Sequence, residues 1–327
     1  MEFFKKRNRI RQARNKAVAY LSPKQRRDGS FGSGLYDYYK TLTAFQVCGL
    51  NDKANALCRW IRAHAITSQG DFKPRDDDDQ HHHYTYANSW IIVGAHRLGQ
   101  FDISQKAMSF LMDFWDQLSG GFYSSFTERD AKTKQDLIYT GFGGLAALST
   151  GRMEVACGVG RWMRTLMELQ REFPKRLYTV YSRADGLHTA IDPNQELRYV
   201  VSGDATRDQF FFQPGVAAGF LARLYQVTGD KEWLNLAKEY MRFAEGANDY
   251  LFRLVRAGKV GWAASLLYTL TGESKYRQMA VRIGDNLVAS QHRTGYWSAS
   301  QKTTPSNEVT AEMIIWLDEI DQAVGNE

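Results

Sequence analysis

The chain has 327 residues, of which 43% are hydrophobic, 24% charged and 13% aromatic, with 6 Pro and a formal net charge of +6. That composition excludes wholesale disorder, a collagen-like repeat and a disulfide scaffold. No apolar run approaches the ~18–20 residues of a membrane helix, so no membrane span is expected.

Seven basic residues open the chain: Lys5, Lys6, Arg7, Arg9, Arg11, Arg14 and Lys16. Ile10, Ala13, Ala17, Val18 and Leu21 fall between them at helical spacing. The segment therefore reads as an amphipathic helix over about 8–22 with a solvated basic face, and no nucleic-acid partner is expected. Met1 to Phe4 lacks the apolar core of a secretion signal.

An alternation follows along the rest of the chain. Amphipathic helices are predicted at about 52–68, 103–118, 153–171, 231–246 and 274–290. More apolar helices are predicted at about 36–48, 84–98, 137–150, 210–228, 258–271 and 307–323. A helix that is apolar nearly all round is buried. The apolar helices end at Gly49, Gly99, Gly151, Gly229 and Gly272, as a left-handed closing residue requires. Asp52, Asp102, Glu154, Asp230 and Glu273 come next, and an acid favours the start of the following helix.

The loops before several apolar helices rhyme: Gly29-Ser30-Phe31, Gly70-Asp71-Phe72, Gly121-Phe122-Tyr123 and Gly295-Tyr296-Trp297. The longest link, about 172–209, holds the β-forming runs Tyr178–Tyr181 and Arg198–Val201, which predicts a hairpin lid over a cavity mouth. Six amphipathic and six apolar helices imply six helical hairpins. They close as an all-α (α/α)6 toroid in a single domain, 1–327, with long functional loops on one rim.

Cys48, Cys58 and Cys157 are odd in number and unclustered, so neither a disulfide framework nor a CxxC site is expected, and a reducing, cytoplasmic setting is the default. No P-loop, dinucleotide fingerprint, GxSxG or HExxH occurs, so no cofactor is expected. His81, His82 and His83 adjoin four acids, but consecutive residues point apart, so no metal site is expected.

At this point the sequence resembles the α/α-toroid superfamilies, of which two branches compete. Gln25 with Asp28-Gly29-Ser30-Phe31, and Gln291 with Gly295-Tyr296-Trp297, look like degenerate repeats of the terpene cyclase and protein prenyltransferase branch. Asp76-Asp77-Asp78-Asp79 formally contains the Asp-x-Asp-Asp signature of class II terpene cyclases, displaced from the helix that it opens in that family. Leu224–Asp230 with Trp233-Leu234 and Ala237 is similar to the hairpin phrase of the six-hairpin glycosidase branch. The first resemblance implies metal-free cyclisation or isomerisation of a small, largely apolar substrate. The alternative implies a sugar-processing hydrolase, lyase or epimerase, and a third reading is a non-catalytic binding toroid.

Polar groups at the starts of the apolar helices supply the candidates. Asp208, His83 and Asp37 are the expected acid–base groups. Tyr39, Tyr86, Trp90, Tyr139, Phe142, Gln213, Trp262, Trp297 and Glu308 are the expected substrate contacts, since large rings with a few polar groups make a ligand pocket. Asp136 and Glu312 fall at equivalent positions, where an Asp also serves as a helix cap. The sequence leaves the oligomeric state open.

Overall fold

The computed structural model describes residues 2–75, 84–191, 196–299 and 304–324, the side chains of residues 2–7, 196 and 197 excepted. Twelve helices of seven or more residues run in alternation along these segments. The outer set is α1 (Glu2–Leu21), α3 (Asn51–Trp60), α5 (Phe101–Met112), α7 (Met153–Glu168), α9 (Lys231–Gly246) and α11 (Ser274–Ser290). The inner set is α2 (Thr41–Val47), α4 (Tyr84–Arg97), α6 (Leu137–Ser149), α8 (Gln213–Thr228), α10 (Gly258–Thr271) and α12 (Asn307–Val324).

The inner helices pack in sequence, α2 on α4, α4 on α6, and so on to α10 on α12, and α12 returns to α2. The ring is therefore closed. The outer helix α1 completes the second layer by lying against both α11 and α12. This is the six-hairpin α/α toroid that the periodicity predicts.

Outer helices bury one stripe. In α9, Trp233, Ala237, Tyr240, Met241, Phe243 and Ala244 are buried while Lys231 and Glu232 face solvent. Each such large apolar side chain contributes roughly 1.5–3 kcal/mol on burial. In α1, Ile10, Ala13, Ala17 and Leu21 form the buried stripe. Inner helices are buried on most faces, and glycines let them approach. A Cβ on Gly219 would stand 2.3 Å from the Trp262 ring.

Gly49, Gly99, Gly151, Gly229 and Gly272 all have positive φ, as expected of helix closures. The rhyming loops share one construction. Phe31, Phe72, Phe122 and Trp297 are fully buried anchors. The preceding left-handed glycine lies on a backbone carbonyl of a neighbouring outer helix, Gly29 on Ala56, Gly70 on Lys106, Gly120 on Gly158 and Gly295 on Lys16. Gln25 and Gln291 clamp their loops: each amide donates to the loop glycine's carbonyl and to a carbonyl of an outer helix, Lys53 or Ala13. These glutamines thus have a structural use.

The long insertion holds strands, in a pattern more divided than a simple hairpin. β2 (Arg176–Tyr178) pairs antiparallel with β5 (Val200–Ser202). β3 (Val180–Ser182) pairs with β1 (Gln135–Asp136) and β4 (Gly186–Leu187). Between them, the Thr179 N–H donates to Tyr199 and its carbonyl accepts from Leu137 N–H. The chain changes partner at that residue, which ties the insertion to the start of α6. A last pair, β6 (Trp297–Ser298) with β7 (Pro305–Ser306), precedes α12. All three cysteines are free, and burial pushes the Cys48 and Cys58 thiols up to about 11 and about 12. Neither is poised as a nucleophile.

Candidate functional site

Two adjoining cavities open at the rim formed by the N-terminal ends of the inner helices. The larger, about 610 Å³, is lined by Lys132, Lys134, Asp136 and Tyr139 from the α6 side, and by Val180, Arg198 and Tyr199 from the insertion. The second, about 240 Å³, is lined by Lys40, Tyr86, Phe212, Lys259, Glu308 and Glu312. Ile138, Tyr139 and Phe210 belong to both walls.

Asp136 is fixed from two sides. Its neighbour Gln135 is buried, donates to Asp116 at 3.0 Å and accepts from the Trp162 indole at 2.8 Å. Asp116 in turn accepts from Arg183 of the insertion at 2.6 Å. Asp136 itself caps α6, its Oδ1 accepting from Tyr139 N–H at 2.9 Å. Burial pushes its carboxyl well above the ordinary carboxylate range, against the opposing pull of a backbone N–H and the positive charge of Arg198. A carboxyl displaced in that direction holds its proton nearer neutrality and can donate it.

The second cavity has a charged floor. Lys40 donates to Glu308 at 2.8 Å and also to Glu312. Lys259 donates to Glu312, which also accepts from the Trp316 indole at 3.0 Å. Tyr39 donates to Glu308. Burial alone would raise the Glu312 carboxyl; Lys259 and Lys40 outweigh it and hold the group well below its usual range. Two buried ammonium groups facing two carboxylates make a fixed electrostatic frame, the only economical way to bury such charges.

The expected site residues divide into several groups. Tyr86, Tyr139 and Glu308 line the cavities as anticipated. Tyr39 lies beneath them as the partner of Glu308. Gln213 is buried and donates to Thr179 at 3.2 Å and to the Arg198 carbonyl at 3.4 Å, so it supports the insertion from below.

Trp90, Phe142 and Trp262 line a cavity of about 360 Å³ at the opposite end of the axis, with Trp262 stacked on Trp316 at 5.2 Å. They sit further along the inner helices than the rim. Trp297 is a core anchor, fully buried, its indole donating to Leu287 at 2.9 Å.

Asp37 is taken up by its own loop, accepting from Ser33 N–H at 2.8 Å and Gly34 N–H at 3.2 Å, and it lines a separate groove. As the third residue of the short helix Leu35–Tyr38, it accepts from the backbone of the cap residue Gly34 and so closes that helix start. Asp208 pairs with Arg256 at 3.6 Å, beside the second cavity wall that Arg256 lines. His83, the run Asp76–Asp79, His81 and His82 lie outside the described residues. His188 is half-buried in the insertion near Ser182 at 3.2 Å.

Lys40, Lys259 and Arg198 escaped notice in the sequence. The signal for the first two was a lysine within or directly before an otherwise apolar inner helix, Lys259 in α10 and Lys40 ahead of α2, with Glu312 as the counterpart. Among the described residues no cluster of His, Cys, Asp or Glu could hold a metal ion.

No protein-family model matches the chain, and no curated protein sequence matches it. Solved structures do. A D-mannose isomerase superposes with a TM-score of 0.70 at 13% identity, covering 95% of this chain and 96% of its own. The GH76 α-mannanase of Bacteroides thetaiotaomicron gives 0.66 at 12%, covering 96% of each chain. An unsaturated glucuronyl hydrolase specific for heparin gives 0.63 at 11%, covering 96% and 97%. The fold is thus the six-hairpin glycosidase-like α/α toroid. The cyclase-like reading finds no support among these structures, which are named as enzymes acting on sugars, and the six-hairpin glycosidase alternative fits them better.

Proposed function

We propose that this protein is a carbohydrate-processing enzyme working by acid–base catalysis, with Asp136 as the proton donor. One observation carries the reading: a carboxyl whose pKa burial raises, fixed by its backbone and by Gln135, stands in the wall of the larger open cavity. Such a group protonates the departing oxygen of a glycoside near neutral pH. Glu308, at the adjoining wall and oriented by Lys40 and Tyr39, is the second carboxylate of the scheme. Tyr86 and Tyr139 provide faces on which a sugar ring stacks. The sugar-processing activities named for the structural neighbours support the same substrate class.

The test is turnover of a panel of aryl glycosides and free hexoses, with products separated so that hydrolysis and isomerisation are read independently. Asp136→Asn keeps the cap acceptor and removes the proton, and the expected loss is ~10²–10⁴-fold. Retention of the parent rate by Asp136→Asn would overturn the assignment.

A further inference from the structure

We infer that the sugar carries a negatively charged group, and that Arg198 is the residue that selects it. This rests on the carbohydrate reading above and names the substrate class for the same site.

Arg198 lies on the short helix Glu196–Tyr199 of the insertion, immediately before β5. Its backbone carbonyl is occupied, accepting from Thr179 at 2.8 Å and from Gln213 at 3.4 Å. Its backbone is therefore fixed from below. Its half-buried side chain lines the larger cavity, and its charge reaches Asp136. Among the described side chains, no carboxylate forms an ion pair with it. This sets it apart from Arg75, Arg183, Arg223 and Arg256, each paired with an acid. A guanidinium offers five donors in a planar fork that fits a carboxylate or sulfate in two parallel hydrogen bonds.

The surroundings favour the same sign. Lys132, Lys134 and Arg198 face the larger cavity against Glu128 and Asp136. Lys134 is held in place by Tyr199, at 2.5 Å from its hydroxyl and 4.9 Å above its ring. In the adjoining cavity, Lys40, Lys259 and Arg256 face Glu308 and Glu312. Cations therefore outnumber acids around the rim. The N-terminal ends of α4, α6, α8, α10 and α12 converge there too, and their dipoles add positive potential. A neutral sugar would leave Arg198 unmatched, whereas an acidic sugar would complete it.

The experiment measures binding by calorimetry of three probes that differ at one carbon: methyl β-D-glucuronide, methyl β-D-glucoside and methyl β-D-glucoside 6-sulfate. The parent protein is expected to bind at least one anionic probe about tenfold or more tighter than the glucoside, a margin typical of one charge-assisted pair. The better of the two tells carboxylate from sulfate. Arg198→Ala should remove that margin, the anionic probe losing about tenfold or more in affinity beyond any loss for the glucoside. Arg198→Lys should restore part of it, and added salt should shrink it.

Equal binding of all three, binding of none, or an equal loss for every probe in Arg198→Ala would overturn the inference. Lys134→Ala, read the same way, guards against a misfolded Arg198 variant. The two readings fail separately. Asp136-dependent turnover of neutral glycosides without any anion margin sinks only the acidic-sugar inference. An Arg198-dependent margin with no Asp136-dependent turnover sinks only the catalytic one.

Discussion

At the scale of single residues, Asp136 does two things that conflict in stability. It caps α6, and it places a carboxyl where burial disfavours its charge. A carboxyl whose folded pKa is raised favours the folded state most at low pH, below its unfolded pKa. That contribution is lost as pH rises through the window between the ordinary carboxylate range and the raised folded value. At neutral pH the residue is thus a destabilising one, as an active-site acid often is. Asp136→Asn should raise Tm at pH 7 and have little effect at about pH 2.5, well below the ordinary carboxylate range, where the parent carboxyl is protonated in both states. Differential scanning calorimetry at the two pH values checks it, and an unchanged Tm at both would mean that the residue is only a cap, since Asn keeps the cap acceptor. The sequence showed Asp136 as a helix-start acid, but β3, which pairs with it, and Arg198, which shares its cavity wall, lie more than forty residues downstream. Local pattern carries no trace of that contact. Asp37 shows the converse: the same local signal, but its carboxylate is taken up by the N–H groups of its own loop.

At the scale of elements, what was legible was what repeats. Helix periodicity, closing glycines and the glycine–aromatic loops are local features, and the structure keeps the alternation, although the helix predicted over 36–48 is divided into Leu35–Tyr38 and Thr41–Val47. The long insertion was legible as β-forming, but its partners were not, because β3 turns from β2 towards β1 at Thr179 through non-local hydrogen bonds. The rhyming loops make a sharper claim than a turn. Gly49 and Gly70 both have positive φ, but a Cβ on Gly49 meets open space, whereas one on Gly70 would stand 2.4 Å from the Lys106 carbonyl oxygen in α5. Gly49→Ala should therefore cost about 1 kcal/mol, the left-handed penalty alone. Gly70→Ala should cost clearly more, about 3 kcal/mol or above, because backbone must move against backbone. Urea denaturation of the two variants compares them. Equal costs would show that the loop does not bear on its neighbouring outer helix.

At the scale of the whole molecule, closure decides how the chain unfolds. In an open array of hairpins each unit contacts only its neighbours, and cooperativity can break between them. Here α12 packs on α2, and α1 lies across α11 and α12, so the two ends of the chain share a seam. The seam carries Arg11 to Asp321 at 2.7 Å and Arg14 to Asp318. Burial raises the Asp318 carboxyl despite the nearby Arg14 guanidinium, which marks that pair as partly enclosed. The insertion at 172–209 is no hinge, because β3 binds it to β1 in the first half and Gln209 accepts from Ser202 N–H next to α8. We therefore expect residues 2–324 to unfold as one unit. Calorimetry should give a van't Hoff enthalpy equal to the calorimetric enthalpy, whereas two independent halves would give a ratio near one half. Arg14→Ala supplies the second reading. If the seam belongs to a single cooperative ring, the variant should move the whole transition to lower temperature without broadening or splitting it. A separate early transition in that variant would show that α1 is a detachable arm, and the toroid would then be held closed by its inner helices alone.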